Sequence, residues 1–93
     1  MKVYLISYEI NEQLFDYSSL KEAIKMLGDY QHPIESLWFV RTDDDAEIDK
    51  IAHSLKEHFH TESDHLFVMQ MPNSPVCQGW LPRSFWKWLF PSK

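Results

Sequence analysis

Thiols, glycines and basic side chains are all scarce in this chain of 93 residues. Its single cysteine, Cys77, excludes an internal disulfide and any thiolate metal cage, and fits a reducing compartment. With only two glycines, Gly28 and Gly79, no phosphate-cradling loop can be built. Nine Lys and Arg stand against fourteen Asp and Glu, giving a formal net charge of −5. Tight non-specific binding to nucleic acid needs clustered bases, and that footprint is missing. No stretch is apolar for the roughly 20 residues a membrane span requires. Ser7 and Glu9 also interrupt the apolar start, so it lacks the apolar segment of a signal peptide. The expected location is the cytoplasm, with no membrane partner. Internal repeats, low-complexity runs and inter-domain linkers are absent from the sequence as well.

What remains is ordinary globular composition, 44% hydrophobic and 25% charged, which argues against a disordered chain. Residues 3–10 (VYLISYEI) are β-branched and aromatic and are apolar on both alternating faces, as in a strand inside a sheet. Ser19 with Glu22 three residues on forms a capping-box pattern. Leu20, Ala23, Ile24 and Leu27 then follow at helical spacing, and Gly28 is expected to supply a left-handed stop. Residues 30–34 and 37–42 read as a hairpin whose first strand, carrying Pro33, lies at a sheet edge. Asp43, Asp44 and Asp45 are expected to open a second helix, with Glu47 completing a capping box from Asp44. Its buried stripe would be Ile48, Ile51, Ala52, Leu55 and Phe59. A polar turn over residues 61–64 precedes a strand at 65–71. A breaker-rich connection over 72–79 leads to a short helix at 81–90, beginning near Pro82.

The order β-α-β-β-α-β predicts an α/β (α+β) class and a ferredoxin-like sandwich, an antiparallel sheet with two helices on one face. It would form a single domain over residues 1–93, with a core at about 2–71 and an aromatic C-terminal tail at 72–93. Three strands look apolar on both faces, so the second face needs a cover from the tail or from a second subunit.

Three segments carry a resemblance: KVYLISYEI at 2–10, DYSSLKEAIK at 16–25 and ESLWFVRT at 35–42. Together they resemble small bacterial proteins of the SinR family, relatives of the second CRISPR-associated protein, the small nuclease and adaptor of spacer acquisition. VapD-like toxins look like further members of that fold group. The resemblance implies a ferredoxin-like fold and a homodimer packed sheet face to sheet face. In the CRISPR-associated relatives a Tyr-Asp pair closes the first strand, and the two Asp residues of a dimer hold a divalent metal for phosphodiester hydrolysis. The matching residues here are Tyr8 and Glu9, and a Ser-x-aromatic element is matched by Ser36, Leu37 and Trp38. The resemblance therefore implies a nuclease in which Glu9 and Ser36 are catalytic, Glu9 binds Mg²⁺ or Mn²⁺, and nucleic acid is the partner. Glutamate in place of aspartate displaces the carboxylate by about an ångström, a shift that can cost roughly 100-fold in rate.

Read from the residues alone, Glu9 is either one half of a cation-bridged carboxylate pair or a side chain pointing to solvent where its strand ends. The Asp43–Asp45 run reads as a helix cap before it reads as a chelate. His58, His60 and His65, with Glu62 and Asp64 nearby, contain ligand types for zinc or nickel. His58 and His60 at i, i+2 do not share a helix face, and they better suit a helix C-terminus. Arg83 and Lys87 interleaved with Trp86 and Trp88 could stack on bases, but two cations are few, and packing onto the sheet or a partner subunit fits better. The alternative function is a non-catalytic homodimeric interaction module, phage- or toxin-related, whose tail contacts a partner. Dependence on Glu9 separates the two readings.

Overall fold

β-Branched and aromatic side chains hold residues Lys2–Glu9 extended as β1 in the computed structural model, which describes residues 1–91. The elements that follow are α1 (Ser18–Lys25), β2 (Asp29–Ile34), β3 (Leu37–Thr42), α2 (Ile48–Lys56), β4 (His65–Gln70) and α3 (Arg83–Leu89). The four strands form one antiparallel sheet in the order β2-β3-β1-β4. Pro33 lies on the edge strand β2, where the ladder to β3 slips out of register between Gln31 and Ile34. A missing N–H does least harm at such a place. Among the described residues, no helix is long and apolar enough to cross a membrane.

Period-two alternation divides the β1 side chains between the two sheet faces. Tyr4, Ile6 and Tyr8 share a face with Trp38 and Val40, and these pack with Leu20 and Ile24 of α1 and Ile51 and Leu55 of α2 as the main core. Trp38 and Tyr8 satisfy their polar atoms inside it. The indole Nε1–H donates to the Tyr8 hydroxyl at 3.0 Å, and that hydroxyl donates to the Glu35 carbonyl at 3.2 Å.

The opposite face carries Val3, Leu5, Ser7 and Glu9, set across from Arg41, Phe39 and Leu37 on one side and from Met69, Phe67 and His65 on the other. The aromatic tail covers part of it. Phe85, the buried residue of α3, seats its ring 4.7 Å from that of Phe39. Arg41 lies 4.1 Å from the Trp88 ring and donates through Nη2 to the Trp88 carbonyl at 2.8 Å. Trp88 Nε1–H donates in turn to Asp29 Oδ2 at 2.9 Å. These contacts lie at the β2–β3 side. Towards β4 the face stays open, with Phe67 59% and Met69 39% exposed.

Several local expectations are corrected. Ser19 does not cap α1, which begins at Ser18; the carboxylate of Asp16 accepts from the Ser18 N–H at 2.8 Å instead. A short side chain that folds back on the backbone two residues on does this work here. Gly28 has no positive φ. Its role is steric, because a Cβ there would stand 2.2 Å from the Arg41 carbonyl oxygen. Asp43, Asp44 and Asp45 form a turn ahead of α2 rather than its first helical turn, and α2 starts at Ile48 without a side-chain cap. Asp43 accepts from the Asp45 N–H at 3.0 Å, and Asp44 pairs with the N-terminal ammonium at 2.9 Å. Phe59 lies beyond the end of α2 and is half-buried.

Candidate functional site

Two of the residues singled out in the sequence lie towards one end of the sheet. Glu9 is the last residue of β1 and is exposed. Ser36 lies in the β2–β3 turn, one residue before Leu37, which pairs with Ser7. The register thus sets Ser36 and Glu9 at the same sheet end, both open to solvent. Tyr8, the neighbour of Glu9, is buried on the core face and anchored to Glu35. Alternation therefore turns Glu9 onto the opposite face, beside the open part of the sheet.

The register also brings His65 directly across from Glu9. Directly opposite side chains have Cβ atoms about 5 Å apart, so an exposed carboxylate and an exposed imidazole stand together at this corner. Sequence reasoning grouped His65 with His58 and His60 instead. The other two have partners of their own: His58 Nδ1 lies 3.0 Å from Ser19 Oγ, and His60 Nε2–H donates to the Asp16 carbonyl at 2.7 Å. No group of three His, Cys, Asp or Glu side chains among the described residues is arranged to hold a metal ion.

Beyond Glu9 the chain enters an open cleft of about 710 Å³, lined in part by Glu9, Asn11, Glu12, Phe15, Thr61 and Asp64. Glu12 is ion-paired with Lys21 on its rim. Asp64 forms the floor and is 6% exposed. Its carboxylate accepts from the Tyr17 hydroxyl at 2.7 Å, from the backbone N–H groups of His60 and Thr61 at 2.9 and 3.2 Å, and from the Thr61 hydroxyl at 3.2 Å. The His60 ring stacks on Phe15 with centroids 5.1 Å apart and meets Tyr17 edge-on at 4.7 Å. This knot ties the β1–α1 connection to the α2–β4 turn. Sequence reasoning missed it, because the two ends lie 47 residues apart; only the spacing of Thr61 and Asp64 hinted at a turn closed by side chains.

Burial alone would raise the Asp64 pKa, but the hydrogen bonds from Tyr17, His60 and Thr61 outweigh it and hold the carboxyl below the usual carboxylate range. Burial, and then the Asp64 carboxylate, push the Tyr17 phenol up. The two signs are opposite. A lowered acid contributes stability that is present above its unfolded-state pKa and lost as pH falls towards its folded value. The raised phenol contributes stability that is present below the ordinary tyrosine value and lost as pH rises above it. We expect Asp64→Asn to lower the thermal midpoint at neutral pH, since the backbone N–H groups of His60 and Thr61 and the Tyr17 hydroxyl then lose a charged acceptor. We also expect its midpoint to fall less steeply than that of the wild type as the buffer is acidified. Equal slopes in a circular-dichroism melt series would assign the acid limb to other carboxylates.

No family model matches the chain, and neither a curated protein nor a solved structure matches it. The functional reading therefore rests on the sheet corner itself and on the resemblance carried by the sequence segments.

Proposed function

We propose that this chain is a ferredoxin-like homodimer, a divergent cytoplasmic relative of the CRISPR spacer-acquisition nuclease, and that it hydrolyses phosphodiesters with a divalent cation. One observation carries the reading. The tail helix α3 covers the Phe39–Arg41 side of the second sheet face and leaves open the side that holds Ser7, Glu9, His65, Phe67 and Met69. Exposed apolar area of that kind invites association, and a two-fold through it would set two Glu9 carboxylates near one another. The strand order β2-β3-β1-β4 and the core shared by α1, α2 and one face support the ferredoxin-like assignment.

Facing carboxylates repel unless one is protonated or a cation bridges them. Glu9 is the carboxylate that each protomer brings to the open face, which is too little for a closed cage. It suits Mg²⁺ or Mn²⁺, which are commonly held by one or two carboxylates with several waters retained. The ion would lower the pKa of a bound water and balance the charge that develops on the phosphate. From the chain itself, Glu9 supplies the hard oxygen ligand and Ser36 a hydroxyl to donate to a phosphate oxygen. His65 across from Glu9 is a further proton carrier at the same corner.

A second reading, the non-catalytic homodimeric interaction module, is favoured by the acidity of this end. Glu9, Glu12 and Asp64 all border one cleft, and polyanions are repelled there. A low-salt cleavage assay on single- and double-stranded DNA and RNA with Mg²⁺ or Mn²⁺ separates the two. Loss of an outer-shell partner typically costs 10- to 100-fold, so losing the ligand itself in Glu9→Ala should reduce cleavage by more than about 100-fold. Cleavage that survives the substitution, or none by the wild type, leaves the interaction module as the function.

A further inference from the structure

The later part of the connection between β4 and α3 projects from the body. Val76 is 102% and Trp80 97% exposed, and a Cβ built at Gly79 would meet nothing within 4 Å. A tryptophan in that state leaves one of the largest apolar side chains in water, against the usual preference of Trp for burial. The same protomer has a flat apolar surface without cover, made by Phe67, Met69 and the half-buried Leu5 and Leu37. A projection and a bare face on one chain are the two halves of an isologous contact, in which each copy supplies both.

Charge points the same way. All fourteen acids lie in residues 1–71, together with six of the nine bases, whereas residues 72–93 hold three bases and no acid. Arg83 and Lys87 are exposed on α3, and neither is in an ion pair among the described residues. The projecting residues 76–80 are themselves uncharged, but the α3 bases Arg83 and Lys87 flank them, and a second copy presents an acidic body to those bases. Opposite fields of this kind steer encounter and disfavour the arm's packing on a basic partner.

We infer that residues 76–80 form a docking arm that seats Trp80 and Val76 on the open sheet face of a second copy, with Arg83 and Lys87 facing that copy's acidic body. The inference rests on the homodimer proposed above and deepens it by naming the segment that each subunit lends to the other. The area is of the right order. An aromatic side chain buries roughly 150–250 Å², so Trp80 and Phe67 with Val76, Met69 and Leu5 account for a large share of the ~800 Å² each partner gives to a standard interface.

Sedimentation equilibrium of the full chain, wild type and Trp80→Ala, tests the arm alongside acrylamide quenching of tryptophan emission across a dilution series. Tryptophan anchors at interface centres are among the costliest to truncate, so the dimer dissociation constant should rise about 30-fold in Trp80→Ala with the far-ultraviolet circular dichroism spectrum unchanged. Quenching of the wild type should fall as concentration rises, and added salt should weaken association. A wild-type monomer at every concentration overturns both the arm and the homodimer. A wild-type dimer that Trp80→Ala leaves equally tight overturns the arm alone, and Glu9 then keeps its assigned place. Low quenching at concentrations where sedimentation shows the monomer would show Trp80 folded onto its own sheet, which also overturns the inference.

Discussion

Phe85→Ala should destabilise the protein by about 3–5 kcal/mol, a range typical of aromatic truncation in a core. Phe85 is 2% exposed and is the buried residue of α3, with its ring on Phe39. A helix of this length does not persist alone in water, so α3 exists because Phe85 docks it. Other ties, among them Arg41 on the Trp88 ring and carbonyl and Trp88 on Asp29, are partly exposed and are each worth less than the ring. Small domains are held by only 5–15 kcal/mol, so the loss would be a large fraction of the total. Urea unfolding followed by circular dichroism measures it. A change under about 1 kcal/mol would mean that α3 is not seated on the sheet. The variant should also self-associate more readily, because Phe39 joins Phe67 and Met69 on the uncovered face.

Gly28→Ala should destabilise by roughly 2–3 kcal/mol, the upper part of the range for forcing extra atoms into packed surroundings. Backbone entropy predicts the opposite sign. Gly28 has an ordinary negative φ, and replacing such a glycine by alanine normally stabilises by about 0.4–1 kcal/mol through the unfolded chain. What reverses it is the Arg41 carbonyl oxygen, 2.2 Å from where the new Cβ would sit, which is backbone and cannot swing away. Relief requires β2 to move off β3 at the Asp29–Arg41 pair. Because Arg41 also holds Trp88, the shift should reach α3, and near-ultraviolet circular dichroism of the tail tryptophans should change with it. Gly79→Ala is the control: nothing lies within 4 Å, and stability should hold or rise slightly. A neutral Gly28→Ala would show that the two strands are not in close contact there.

The strands were legible because their information is local. β3 at Leu37–Thr42 and β4 at His65–Gln70 fall where runs of β-branched and aromatic residues place them, and Pro33 correctly marks an edge. Helix positions were legible from period 3.6, while the caps were not. Ser19 looks like an N-cap, but the chain turns one residue earlier through Asp16, and Ser19 is left to meet His58. Three consecutive aspartates read as a helix start, yet Asp43 closes its own turn first, a competition that short acidic side chains often win.

The candidate site divides along the same line. Glu9 could be picked out as the end of a strand, and Ser36 through the segment at 35–42 that carries the resemblance. His65 across from Glu9 could not, because its position depends on the β1–β4 register, and a slip of one residue would turn it to the other face. The Tyr17–Asp64 knot was invisible for a related reason: its two halves belong to connections whose approach is decided by how α1 and α2 pack.

By itself, then, the order of residues determined the α+β element sequence, the two-sided apolar strands and the exclusion of a disulfide within these residues. Each of these follows from side-chain chemistry and spacing within a few residues. Only the tertiary structure decided which side of the second face the tail covers, why Gly28 must lack a Cβ, which histidine stands by Glu9, and that Asp64 is buried. Those are contacts between segments far apart in the chain. They are selected by packing and by the satisfaction of buried polar groups, and no local pattern encodes either.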